Sequence, residues 1–186
     1  KPFWAFAMAK SHHLGPPSPP AFYPVPTLGH LRLQVFSDLL YGAQVIQYFT
    51  FGGIYDCKAG KKTPAFDVFR QVNSEIKAYS PVFLGCTVKG VWHTGDLVPS
   101  HTRRLKDMPH DKVKSLDVSG QGAVVSLIEN KGRTYLAVQN RDCVNEATLE
   151  IEFDGRVREF SVEGPVRFDG GSTTLEPGNM KIFILN

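Results

Sequence analysis

Five residues carry the side chains best suited to chemistry in this chain: His12, His13, Tyr48, Tyr55 and Asp56. The two histidines are adjacent, so on an extended backbone they point to opposite sides and cannot both ligate one metal ion. One of them could hydrogen-bond a hydroxyl group of a ligand. No His-Glu-x-x-His run, His-x-His run or carboxylate cluster accompanies them, so no metal site is expected. Tyr48 and Tyr55 belong with Trp4, Phe6, Phe49 and Phe51 to a set of aromatics that could stack on a sugar ring. For Phe6 and Phe49 the expected role is core packing, and Tyr55, in a loop, is the stacking candidate. Asp56 follows in the same loop and reads first as a turn former. Hydrolysis of a glycosidic bond usually takes two carboxylates roughly 5 to 9.5 Å apart, and Asp56 has no evident second. Ser11 has no G-x-S-x-G elbow around it, and Gly52-Gly53 alone does not make a phosphate loop. No catalytic residue and no cofactor is therefore expected.

The elements that would hold these residues alternate between strand and helix at first. The apolar run PFWAFAMA reads as a strand covered on both faces, and the proline-rich stretch after it can continue neither a helix nor a central strand. Thr27 is a plausible N-cap for an amphipathic helix carrying Leu28, Leu31, Val35 and Leu39, which Gly42 ends. A second apolar strand over residues 44–51 follows at once, then a Gly- and Lys-rich loop. From Pro64 a second helix sets Phe66, Phe69, Val72, Ile76 and Tyr79 along one side. Two such repeats would be about a quarter of a (β/α)8 barrel of roughly 250 residues. Beyond Tyr79 the pattern changes to short runs such as GAVVSLIE, RTYLAVQ, ATLEIEF, REFSVEG and MKIFILN, separated by turn residues, which predicts an antiparallel β-sandwich. The expected fold class is α/β plus all-β. Residues 1–80 would be the last two βα units of a TIM-type barrel, and residues 82–186 a C-terminal β-sandwich domain.

Composition excludes several classes. With 42% hydrophobic and 21% charged residues the chain has the balance of a globular protein. A net charge of +3 with no basic run longer than a pair gives no nucleic-acid footprint. Cys57, Cys86 and Cys143 are odd in number and far apart, so they predict buried or inert thiols and not a disulfide framework. No apolar run approaches the roughly 18 residues of a membrane span. The chain opens on strand-like sequence without an initiator Met, and is read as the C-terminal piece of a longer protein whose remaining barrel strands precede it.

Three strings carry a family resemblance: KPFWAFAMAKSHH, YPVPTLGHLRLQVFSDLLYGAQVIQYFTF and FDVFRQVNSEIKAYSPVFLGCTVKGVWHTG. Together they resemble the C-terminal part of glycoside hydrolases related to the family 42 β-galactosidases, in the form found in Bacteroidetes, and RTYLAVQNRD with the strands after it resembles their terminal sandwich. The resemblance implies a carbohydrate substrate, a periplasmic or extracellular setting, the possibility of a homo-oligomer, and a nucleophilic Glu near residues 9 to 12. Those positions hold Ala9, Lys10, Ser11 and His12. The implied acid/base Glu would precede Lys1, so the chain is not expected to hydrolyse glycans alone. The alternative is a non-catalytic carbohydrate-binding or structural module.

Overall fold

In a computed structural model, residues 2–13, 22–23, 25–161 and 163–186 are described. The first part runs β1 (Phe3–Met8), β2 (His12–His13), β3 (Phe22–Tyr23), α1 (Leu28–Leu40), β4 (Ala43–Phe49), β5 (Tyr55–Asp56), β6 (Lys61–Lys62) and α2 (Phe66–Phe83). The second is all strand: β7 (Thr87–His93), β8 (Val113–Val118), β9 (Ala123–Asn130), β10 (Arg133–Asn140), β11 (Ala147–Phe153), β12 (Val157–Glu159), β13 (Val166–Phe168), β14 (Gly171–Leu175) and β15 (Met180–Ile184).

A six-stranded antiparallel sheet, in the order β13-β12-β15-β10-β9-β7, is the centre of the molecule. One of its faces packs on the three-stranded sheet β14-β11-β8. Leu136, Val138 and Phe183 there meet Leu116, Leu149, Ile151 and Phe153 in a shared core. The other face packs on the two helices, where Val124, Ile128, Ala137 and Ile182 meet Leu31, Val35, Phe36, Phe69 and Val72. Double coverage explains why β9 and β10 are buried at nearly every position, while β11, wet on one side, alternates strictly. On the far side of the helices lies the parallel pair β1-β4. The layers therefore run three strands, six strands, two helices, two strands.

This arrangement corrects the expected fold class. The first half does not supply part of a (β/α)8 barrel: its parallel sheet has two strands, and the helices form no outer ring. Their apolar sides face the central antiparallel sheet, so the protein is mainly β and sandwich-like with two helices. A local strand-helix-strand pattern does not specify what covers the helix. Here the second face of the sandwich supplies that cover.

Local signals set the helix ends. Thr27 caps α1 by accepting the His30 amide, while His30 Nδ1 accepts the Thr27 amide, a capping box with histidine in the usual place of Glu. Gly42, at φ 98°, turns the chain from α1 into β4. Pro81 sits inside α2 and has no N–H for the Lys77 carbonyl, which Ser80 Oγ takes instead at 2.8 Å.

The last carbonyls of both helices are answered by buried polar side chains of the central sheet. Ser126 Oγ donates to Leu40 O at 2.8 Å. Asn130 Nδ2 lies 3.2, 2.9 and 3.0 Å from the carbonyls of Pro81, Val82 and Leu84. Gln139, fully buried, donates to Arg32 O, Leu33 O and Gly178 O and accepts from Ser37 Oγ. Arg32, on α1, ties both parts together from its side: its guanidinium binds Glu75 of α2 and, at 2.6 Å, Glu176 before β15. Close backbone approach completes the joint, since a side chain at Gly29 would collide with the Cys143 carbonyl. Replacing Gln139 by Leu takes away the donor to Gly178 O and the acceptor for Ser37 Oγ in a dry site. It is expected to lower unfolding stability by about 3 kcal/mol, measured by denaturant titration; a loss below about 1 kcal/mol would contradict this reading of the joint.

Candidate functional site: the outer face of the parallel pair

Strands β1 and β4 pair in the register Trp4 with Val45, Phe6 with Gln47 and Met8 with Phe49. Ala5, Ala7 and Ala9 alternate with these and are buried, so their small side chains let α1 lie close against β1. The large side chains take the other face, which no described element covers. Trp4 is 65% exposed, Phe6 67% and Phe49 49%. Neither outer edge of the pair has a strand partner among the described residues. The edge of β1 is partly closed by Gln34 of α1, whose Oε1 accepts the Met8 amide at 2.9 Å.

Beyond the C-terminal ends of the two strands a rim is built by a 3-10 turn, Phe51–Gly53, and the small β5-β6 hairpin. Phe51, exposed, stacks on Tyr55 with ring centres 5.9 Å apart. Gly53 passes so close to the Ala9 carbonyl that a side chain there would collide with it, which fixes the rim against the end of β1. Thr63 Oγ1 donates to Gly53 O and Ile54 O and holds the hairpin in place. Lys10, Lys58, Lys61 and Lys62 are exposed here, with Lys62 Nζ 4.1 Å from the centre of the Phe66 ring.

Of the five residues singled out from sequence, the three whose side chains are described do not converge. Tyr55 and Asp56 lie on the rim. Asp56 Oδ1 accepts the amides of Lys58 and Ala59 at 2.9 and 3.0 Å, which makes it the former of its own turn. Tyr48 points the other way, toward α2: its hydroxyl donates to Asn73 Oδ1 at 2.9 Å and its ring meets Phe69 edge-on. Burial pushes the Tyr48 phenol up to about 12, so it stays protonated. The backbone of His12 and His13 pairs with Phe22 and Tyr23, and their side chains lie outside the described residues. Among the described residues no group of three His, Cys, Asp or Glu side chains could hold a metal ion, and no helix is long and apolar enough to cross a membrane.

Other expectations change as well. Phe6 and Phe49, 67% and 49% exposed, are not core residues. The period-two alternation of Ala5, Ala7 and Ala9 with Trp4, Phe6 and Met8 was the available sign of a strand with two unlike faces. Cys57 is exposed and Cys86 and Cys143 are half-buried, so none of the three free thiols is a core residue. His93 is 5% exposed; its Nε2 lies 2.8 Å from the Tyr41 hydroxyl and its Nδ1 has no partner among the described residues. Burial, with the nearby Arg141 charge, holds its pKa below the usual histidine value and keeps the ring neutral. No family model matches this chain, and neither a curated protein nor a solved structure matches it.

Asp38, on α1, is the carboxyl most disturbed by its surroundings. Burial pushes it up to about 6, with no cation to offset the loss of water. An acid whose folded pKa is raised costs stability once ionised. The cost is absent below the unfolded value near 3.8 and complete above about 6. Asp38→Asn is therefore expected to stabilise the fold at neutral pH by up to about 2 kcal/mol, a figure already reduced for partial solvation. Unfolding titrations of both forms should show that gain vanishing as pH falls toward 4. A gain that does not change with pH would contradict the assignment.

Proposed function

We propose that this chain is a non-catalytic structural module, in which the sandwich and its two helices present the parallel strand pair to another polypeptide. The observation that carries this reading is the exposure of Trp4 and Phe6 on one face of two strands whose outer edges have no strand partner among the described residues. The largest exposed apolar patch on a protein, typically about 300–600 Å2, is often functional, and open strand edges invite pairing with another chain. Hydrolysis receives no support: the described rim carboxylate, Asp56, already accepts two backbone amides, and the Glu implied near residues 9 to 12 is absent.

A second reading, glycan binding at the rim, is favoured by the stacked Phe51 and Tyr55 rings beside exposed lysines. Calorimetric titration with galactose-containing oligosaccharides separates the two. Heat of binding that disappears in Tyr55→Ala would favour the glycan reading over the docking one.

The docking reading also makes a direct demand on stability. Side chains that serve a partner do little for the fold of the free chain, so Trp4→Ser combined with Phe6→Ser should leave unfolding stability within about 1 kcal/mol of wild type. Binding of a hydrophobic dye to the native protein should fall several-fold in the same variant. A loss of more than about 3 kcal/mol, the range of a core deletion, or unchanged dye binding, would show that these rings belong to the fold and not to an interface.

A further inference from the structure

The geometry points to a binding site for a small organic phosphate ester in a cavity of about 340 Å3 at the β12-β13 end of the central sheet, where two arginines stand opposite each other across the strands.

The pairing register sets which face they occupy. Val157 of β12 lies opposite Phe168 of β13, and both belong to the core between the two sheets. Arg158 and Arg167, the next pair in the same register, therefore project together from the other face. Ile184 of β15 opposes Arg158 from its second side and, being buried, forms an apolar floor beside it. Lys112 and Arg156 close the cavity from the segments that lead into β8 and β12. Those segments are joined where the Asp154 amide donates to the Lys112 carbonyl at 2.8 Å.

Charge makes this arrangement costly when nothing is bound. Like charges directly opposite in an antiparallel pair repel, with Cα atoms only about 4.5 to 5.5 Å apart. No carboxylate side chain lines the cavity among the described residues. Asp169 binds Arg167 at 2.6 Å, and Asp154 is taken by Lys114 at 3.3 Å. Lys112, Arg156 and Arg158 have no ion-pair partner among the described residues, so three cations share the cavity without a counter-charge.

That surplus selects the ligand class. A carboxylate neutralises one of the three. A phosphate monoester brings close to two negative charges and three acceptor oxygens, enough to meet the planar fork of each facing arginine. The volume is that of a small-molecule site, and the floor of Ile184 with the arginine stems suits an apolar body on the phosphate. The phosphate thus sits between Arg158 and Arg167 with its organic part against Ile184. None of these residues belongs to the β1-β4 pair or its rim, so the site is independent of the docking reading.

Titration calorimetry of the full chain with phenyl phosphate in low salt tests this. The expected result is saturable binding at one site that weakens as salt rises. It should be at least about 10-fold tighter than binding of inorganic phosphate, which lacks the apolar body, or of benzoate, which lacks the second charge. Arg158→Gln and Arg167→Gln should each weaken it by at least about 10-fold. Arg158→Lys, which keeps the charge and loses the fork, should weaken it several-fold. Arg70→Gln, which removes the same charge from an exposed position on α2, should leave it unchanged. Because the facing arginines repel, Arg158→Gln without ligand should melt no lower than wild type in low salt. Absence of binding, equal binding of inorganic phosphate or benzoate, or an equal loss in Arg70→Gln would overturn the inference. So would binding to vesicles of phosphatidylcholine and phosphatidic acid but not to phenyl phosphate, which would assign the phosphate to a lipid headgroup. A melting temperature in Arg158→Gln more than about 4 °C below wild type would show that the arginine serves the fold, and would overturn it too.

Discussion

Both helices end against the central sheet, and the way their carbonyls are satisfied there decides much of the rest. A helix leaves its last carbonyls without partners, and in a dry interior each must find a donor. Ser126 and Asn130 provide those donors at the helix ends, and Gln139 reaches the Arg32 and Leu33 carbonyls farther back along α1. The polar side chains stay buried at small cost because each meets carbonyls held in place by the helices. The same bonds set where α1 and α2 lie on the sheet. The Arg32 guanidinium, between Glu75 and Glu176, adds a charged tie across the joint. Burial alone would lower its pKa, and the two carboxylates outweigh that and raise it.

The bare face follows from this placement. With one side of α1 given to the central sheet, its other side needs cover from something thin, and the alanines of β1 supply it. A strand built to lie close on a helix through Ala5, Ala7 and Ala9 must direct its large residues outward. The parallel pair is thus well held on one face, while on the other no described element covers it.

Individual elements were legible to very different degrees. Thr27 and Gly42 marked both ends of α1, and the alternation in ATLEIEF and the apolar density of GAVVSLIE marked β11 and β9, because these signals are local. Short strands such as β8 and β14 were missed. Their sequences, VKSLDV and GSTTL, are too polar to stand out, and they are strands because β11 pairs with them on both sides. The barrel expectation failed for a related reason: alternating strand and helix is compatible with several covers, and only tertiary packing selects one. The burial of His93 and the polar role of Gln139 were equally hidden, since both depend on partners 52 to 107 residues away. Of the site, the aromatic character of β1 and β4 was visible, but not which rings would face solvent.

Native-state hydrogen exchange read peptide by peptide is the most direct measure of whether helices and sandwich are one cooperative body. If the buried joint governs the fold, peptides covering α1, α2, β9 and β10 should open together, with the same free energy and the same response to denaturant. Exchange of residues 28–83 at a much lower free energy than β9 and β10 would show that the helices are an independent layer, and would contradict the account.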